Sequence, residues 1–389
     1  MSNSSVRIAI VGSGSRGRSH IAEVYRINAQ EHVGRAADDG EMRSPQPLYE
    51  TYADDKPEWV DDISELRPDV TAIYDPSESS RRAAAATCRD HGGDPVLFDS
   101  YDAFLESDAY DAVIVASPND THVDVATPLL ERNVDVLCEK PLATTLEGYD
   151  ELDERVARSD GLFYTAFNMR SRPYYRKLKA LVDADAIGEL GMISCREVRT
   201  PFPDGHYYSQ AASGGSILEK NCHDFDLMNW ITDADPKRVA AFGGQHVFTK
   251  NTDVNDHAVV IVEYGNGVRA SLDLCLYAPY GVRFSEFTGH RDYELRGTEG
   301  VLKGVPDGRH TWELFTRWRR EQFEGDQFPG GHGGSDYLQM LRFLRCLRGE
   351  ETPPASPIDA KKAAAIAIGA EVSIQNGTFV EIDSNYDLQ

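Results

Sequence analysis

The apolar run Val6 to Val11, broken only by Arg7, reads as a β-strand, and it leads straight into Gly12-Ser13-Gly14-Ser15-Arg16-Gly17 and a helical stretch from about Arg18 to Asn28. From there the pattern alternates. Strand-like runs at Thr71 to Tyr74, Val96 to Phe98, Ala112 to Ala116, Val134 to Cys138 and Leu162 to Phe167 are separated by helical stretches at Ser79 to Arg89, Tyr101 to Leu105, Val123 to Arg132 and Leu146 to Ser159. Alternating βα units predict a parallel sheet. The stretch 29–70, polar, acidic and proline-containing, interrupts this order and reads as a surface insertion of roughly 40 residues, tolerated where backbone meets solvent.

Beyond Asn168 the texture changes. After a helical stretch from Arg176 to Ala184 come long alternating runs at Met192 to Val198, Val239 to Phe248, Ala258 to Tyr264, Val268 to Leu276 and Tyr293 to Gly297. Gly265-Asn266-Gly267 joins two of them as a hairpin turn, since Asn and Gly adopt positive φ at little cost. Helices are expected at Asp224 to Ile231, Tyr337 to Arg348 and Asp359 to Gln375, covering one face of a largely antiparallel sheet. The fold class is therefore α/β and α+β: a Rossmann dinucleotide-binding domain over 1–168, carrying the 29–70 insertion, then a domain over 169–389 built on a large, mainly antiparallel sheet. A length of 389 residues agrees with two cores.

Charge adds a second layer. The 64 acidic and 40 basic residues leave a net charge of −24, with 37 Asp to 27 Glu and only 10 Lys to 30 Arg. Scarce lysine and abundant aspartate fit a halophilic surface, where short carboxylates hold water and salt screens their repulsion; an ordinary acidic cytosolic enzyme is the plainer reading. A polyanion such as nucleic acid is not an expected partner. The six cysteines stand singly with no C-x-x-C spacing, so neither a zinc site nor a disulfide framework is indicated. No apolar run approaches a membrane span, and a soluble cytoplasmic protein is expected.

The chemistry begins in the glycine loop. Gly12, Ser13, Gly14, Ser15, Arg16 and Gly17 sit between strand and helix, where glycines allow a tight turn and close approach of backbone to a pyrophosphate. Arg16 either flanks the phosphates or is solvated. Asp75 closes the second strand, where a carboxylate accepts bonds from the adenosine ribose and repels a 2′-phosphate, which favours NAD. Arg81 and Arg82 follow closely enough to reach a 2′-phosphate, which keeps NADP open, and a helix-capping role is the plain alternative for Asp75.

Ser117-Pro118-Asn119-Asp120-Thr121-His122 follows the fourth strand, Glu139-Lys140-Pro141 ends the fifth, and Gly214 to Asp226 contains Glu219, Lys220 and His223. In these motifs the chain resembles the Gfo/Idh/MocA family of NAD(P)-dependent sugar and inositol dehydrogenases, over essentially its whole length except the insertion. The resemblance implies cofactor contacts from the glycine loop, Asp75, Ser117, Pro118, Asn119, His122, Glu139 and Lys140. It implies catalysis by Lys140, Glu219 and His223: His223 takes the proton of the substrate hydroxyl as hydride leaves its carbon, and Lys140 hydrogen-bonds the same oxygen or the nicotinamide ribose. Substrate contacts are expected from Lys140, Arg170, Glu219, Lys220 and His223.

Two positions depart from the family pattern. Glu219 stands where Asp is usual, and Lys220 where an apolar residue is usual, so Lys220 either pairs with Glu219 or recognises an acidic sugar. His332, in Gly330-Gly331-His332-Gly333-Gly334, belongs either to a loop that closes over a site or to a plain helix lead-in capped by Asp336. Tyr207 and Tyr208 either stack on a pyranose or cover the sheet edge. The expected function is hydride transfer between a secondary alcohol of a sugar, cyclitol or sugar acid and a nicotinamide cofactor, with no metal, a small-molecule carbohydrate or polyol as substrate, and a homodimer or homotetramer as the assembly. An NAD-using glycosidase of the same family and a non-catalytic sugar or nucleotide sensor are the alternatives.

Overall fold

The computed structural model describes residues 5–29, 67–202, 205–250, 252–278, 289–305, 311–324 and 328–389. Most of the expected insertion therefore lies outside the described residues, and its last residues, from Pro68, belong to a strand. In chain order the first elements are β1 (Val6–Val11), α1 (Ser15–Asn28), β2 (Pro68–Tyr74), α2 (Glu78–Asp90), β3 (Val96–Phe98), α3 (Tyr101–Leu105), β4 (Ala112–Val115), α4 (His122–Leu130), β5 (Asp135–Cys138), α5 (Leu146–Arg158) and β6 (Phe163–Thr165). Next come α6 (Pro173–Asp183), β7 (Leu190–Arg199), α7 (Gln210–Ser213), α8 (Ser216–Thr232), β8 (Pro236–Gly244), β9 (His257–Tyr264) and β10 (Arg269–Cys275). The chain ends with β11 (Gly289–Gly297), β12 (Gly300–Val305), β13 (Thr311–Thr316), β14 (Arg320–Glu324), α9 (Ser335–Leu347), α10 (Pro357–Asn376) and β15 (Val380–Glu381).

These elements form two compact units: one of residues 5–29, 67–172 and 328–360, the other of 173–324 and 361–389 among those described. The expected division at 168/169 is thus crossed by a return segment. In the first unit six parallel strands lie in the order β3-β2-β1-β4-β5-β6, the doubly wound Rossmann order. Ala112, Val113, Ile114 and Val115 of β4 are all fully buried, as their unbroken apolar run predicts for a strand covered on both faces. The return segment joins this core through α9. Tyr337, Leu338, Leu341, Phe343 and Leu344 pack with Ile8, Ile21 and Val24, and Phe343 meets Tyr164 edge to face at 5.7 Å.

The second unit is a nine-stranded sheet, β14-β13-β12-β11-β7-β10-β9-β8-β15, antiparallel except where β10 runs parallel to β7. The hairpin at Gly265-Asn266-Gly267 joins β9 to β10, with Gly267 at φ +93° and its N–H donating to Tyr264 O at 3.1 Å. One face of the sheet is buried. Along β9, Ala258, Val260, Val262 and Tyr264 point inward, whereas Val259 and Ile261 point outward and are about half exposed. Trp312 stacks on Tyr174 at 4.6 Å and donates its indole N–H to the Tyr174 carbonyl at 3.1 Å. All six cysteines are free thiols, five of them buried. No helix among the described residues is long and apolar enough to cross a membrane.

Candidate active site

The glycine loop makes the tight turn that its composition predicts. Gly12 is at φ +85°, and a Cβ there would stand 2.5 Å from the backbone nitrogen of Ser117 and 2.6 Å from the Ala116 carbonyl, so any side chain would push the β1 and β4 loops apart. A Cβ at Gly17 would collide with the Gly12 carbonyl at 2.0 Å. At Gly14 the space is open. Gly14 precedes α1 without a side-chain cap, and no acidic residue occupies the first turn. A helix start left in this state suits an anion, and these residues fit a dinucleotide pyrophosphate.

Asp75, nearly buried, ties the loop to β2. Its Oδ2 accepts from Ser13 N at 2.7 Å and Ser13 Oγ at 3.0 Å, and its Oδ1 accepts from Ser77 N at 2.8 Å. Arg81 is held on the Asp75 carbonyl, and Arg82 pairs with Glu78 one helical turn earlier. Both arginines thus have protein acceptors.

Arg16 differs from the expectation of a phosphate-flanking or solvated side chain. Its Nε donates to Glu139 Oε1 at 2.6 Å, and Nη1 and Nη2 grip Asp336 at 2.7 and 3.0 Å. Glu139, expected at the cofactor, is likewise turned inward. Its Oε1 also meets His20 Nε2 at 2.7 Å, and its Oε2 accepts the backbone N–H of Lys140 at 3.2 Å. Burial alone would raise the Glu139 and Asp336 pKa values, but Arg16 outweighs it, with His20 helping at Glu139 and His332 at Asp336, and both carboxyls lie below their ordinary range. Two acidic groups from distant parts of the chain are thereby held charged in the core of the first unit.

Lys140 follows at the carboxyl end of β5 and precedes a cis peptide to Pro141. His122, expected at the cofactor, is a staple behind this turn. It is buried, with Nδ1 2.8 Å from the Pro141 carbonyl and Nε2 2.9 Å from the Ser117 carbonyl, and burial pushes its pKa down. Its ring joins the β4 and β5 loops. Thr121 Oγ1 donates to Ser117 Oγ at 2.8 Å, and Asn119 is buried beside them. Arg170, expected at substrate, is also buried: Nη1 donates to the Pro354 carbonyl at 2.6 Å and Nη2 lies 3.7 Å from Asp359, so it anchors the return segment. Asp336 accepts from Asn168 at 2.7 Å and contacts His332 Nδ1 at 2.8 Å, which makes the glycine stretch at 330–334 an anchored lead-in to α9.

In the second unit α8 begins at Ser216, not near Asp224, so Glu219, Lys220 and His223 all lie on the helix. Glu219 and His223 are four residues apart and share a face. Glu219 is buried, whereas Lys220 and His223 are partly exposed. Lys220 does not find its partner in Glu219. Its Nζ lies 3.1 Å from Glu197 of β7, and Glu197 also meets Arg291 Nε at 2.7 Å. Arg291 continues to Asp224 at 3.0 Å, and Asp224 further accepts from Tyr293 and, at 2.8 Å, from Asn221. Burial opposes the Glu197 charge, but Arg291 and Lys220 prevail and hold its pKa low; burial, with Arg291 and Arg199, draws Lys220 below its ordinary value. Tyr207 stacks on Phe202 at 4.7 Å, and Tyr208 donates to the Phe202 carbonyl at 2.6 Å, so both serve the loop that carries them.

Two family models match this chain. One, described as an oxidoreductase family with an NAD-binding Rossmann fold, covers residues 6–167, and the other, the GFO/IDH/MocA C-terminal domain, covers 175–303. The chain belongs to the Gfo/Idh/MocA oxidoreductase family. It is an NAD-binding oxidoreductase of that family.

Among Gfo/Idh/MocA relatives, YteT of Bacillus subtilis is 32% identical over 162 residues, which is 40% of this chain and 38% of that protein. Myo-inositol 2-dehydrogenase of Thermotoga maritima is 28% identical over 291 residues, 72% of this chain and 82% of that one. A solved levoglucosan dehydrogenase, in complex with NADH and levoglucosan, superposes with a TM-score of 0.77 at 16% identity, covering 98% of this chain and 100% of its own, and so shares the fold. Within this Gfo/Idh/MocA framework, sequence reasoning missed His20, Glu197 and Arg291, and read Asp336 as a helix cap without its pairing to Arg16. Glu197 had a signal: with Ile193 and Cys195 it occupies alternate, inward positions of β7, where a carboxylate needs a partner.

Proposed function

We propose that the protein is an NAD-dependent dehydrogenase moving a hydride between a secondary alcohol of a sugar, cyclitol or sugar acid and the nicotinamide ring. The observation that carries this reading is the Glu219–His223 pair, one turn apart on α8, in a chain whose NAD-binding unit carries Lys140 just beyond the carboxyl end of β5. NAD, when bound, supplies the two-electron acceptor. The first turn of α1 would hold the pyrophosphate, and Asp75, at the end of β2, would accept from the adenosine ribose hydroxyls. His223 takes the hydroxyl proton, the general-base task most often given to an imidazole. Lys140 donates a hydrogen bond to the reacting oxygen or to the nicotinamide ribose and stabilises developing negative charge. Glu219, longer by a methylene than the usual aspartate, orients the His223 ring or accepts from a substrate hydroxyl.

The similarity to a myo-inositol 2-dehydrogenase supports a polyhydroxylated substrate. A panel of sugars, inositols and sugar acids, followed by NADH and NADPH absorbance at several salt concentrations, tests the reading. Reduction of NAD by at least one member is expected. No reduction of either cofactor by any member at any salt concentration would overturn it.

The second unit supports self-association through the outward face of its sheet. Phe242 of β8 is 80% exposed and pairs in register with Val259 of β9, with Ile261 on the same face. A second copy of this chain, as homodimer or homotetramer, is the proposed cover for these apolar side chains.

A further inference from the structure

Helix α8 starts without a cap of its own. Gly215, just before Ser216, has no side chain to offer and lies at φ +96°, so the first-turn N–H groups need acceptors from elsewhere. An acceptor comes from α10. The buried carboxylate of Glu371 accepts from Nδ2 of Asn255 through Oε2, while its Oε1 lies against the helix start, where the Ile217 N–H favours its charge. Asn255 closes the arrangement by taking the Ser216 hydroxyl on its backbone carbonyl at 2.5 Å.

Gly215 is what lets this carboxylate approach. A Cβ there would stand 3.0 Å from Glu371 Oε1 and 2.7 Å from Gln210 Oε1. Gln210 in turn donates to the Gly214 carbonyl at 3.0 Å, so the two glycines are gripped from both sides. A negative group at a helix start is also favoured by the helix dipole. Glu371 therefore places a negative group from a remote helix against the start of α8.

We propose that Glu371 is a positioning residue of α8: by clamping the helix start, together with Asn255, it sets the rotation and axial position of Glu219 and His223 one and two turns further on. The inference rests on the reading of His223 as the proton acceptor. Burial pushes the Glu371 carboxyl up to about 6, against the pull of Asn255 and Ile217, so the clamp is a full acceptor above that pH. The clamp lies wholly in the second unit and touches none of the glycine loop.

The test uses the full-length protein and two isosteric changes. In Glu371→Gln the new amide NH2 opposes the NH2 of Asn255, and in the double variant Glu371→Gln/Asn255→Asp an acceptor faces it again. Amide hydrogen exchange over the peptide 216–224 should speed up in the single variant and recover in the double. Turnover on the best polyol should fall about tenfold and recover alongside it, while NADH affinity stays within about twofold of wild type. Asn255→Ala, which leaves the carboxylate in place, should shift exchange and turnover in the same direction by less, and decides the matter if Glu371→Gln does not fold. Unchanged exchange in a folded variant overturns the clamp whatever the substrate. Faster exchange with wild-type turnover, or a matching loss of NADH affinity, overturns the positioning role. A wild-type protein with no turnover on any polyol is a failure of the dehydrogenase reading, and the exchange experiment then still decides the clamp.

Discussion

Arg16, in the first turn of α1, donates through Nε to Glu139, the residue before Lys140, at 2.6 Å. The loop proposed to receive a dinucleotide and the turn that carries the proposed catalytic lysine are therefore tied by one guanidinium. Asp336, from far along the chain, holds the other end of it.

Arg16→Met would leave Glu139 and Asp336 buried without their main counter-charge. A loss of about 3–5 kcal/mol is expected from calorimetric or denaturant unfolding. Both carboxyls are depressed in the folded chain, so the unfolded chain binds more protons as acid is added. Their contribution to stability is complete above about pH 5 and is lost as the pH falls further. Asp336→Asn should therefore flatten the decline of melting temperature between about pH 5 and 3, and a decline as steep as wild type would contradict the assignment.

Asp75 anchors Ser13 and is proposed to face the ribose. Asp75→Ala should raise the KM for NAD by about tenfold or more and narrow the preference over NADP, measured by steady-state kinetics with both cofactors. An unchanged preference would mean that Asp75 only caps the loop.

Glu197 joins two cations, and its two sides are unequal. Glu197→Ala strands Lys220 and leaves Arg291 with Asp224 alone, and is expected to cost about 3–5 kcal/mol in urea unfolding. Lys220→Met leaves Glu197 paired with Arg291, and because Lys220 sits at the partly exposed end of the chain of charges, the expected cost is about 1 kcal/mol or less. Equal losses would show that Lys220 carries as much of the network as Arg291.

Phe242→Asp places a charge on the exposed sheet face opposite Val259. If a second copy covers this face, light scattering should report a smaller species with the folded-state circular dichroism retained. An unchanged mass would remove the face from consideration as the interface.

Much of the first unit was legible because its strands are short, mostly apolar runs that alternate with helical stretches, a pattern that sequence alone makes plain. β12, β13 and β14 were not. Thr311-Trp-Glu-Leu-Phe-Thr316 and Arg320-Glu-Gln-Phe-Glu324 mix charge into their alternation, and their pairing depends on neighbours distant in sequence. The start of α8 was missed for a related reason. Glu219, Asn221, Asp224 and Asp226 are buried polar residues on a helix whose partners come from β7, β11 and elsewhere, so no apolar stripe marks it. The same long-range pairing hid the roles of Arg16, His122 and Arg170. Each is held by an acceptor from a distant part of the chain, which the local sequence does not display.

The dehydrogenase reading stands most directly on Lys140 and His223. Lys140→Ala and His223→Ala, assayed by NADH absorbance on the best substrate of the panel and by fluorescence titration with NADH, should each lose about a hundredfold or more in kcat, with NADH affinity within a few-fold of wild type. Near wild-type turnover in both variants would contradict the account.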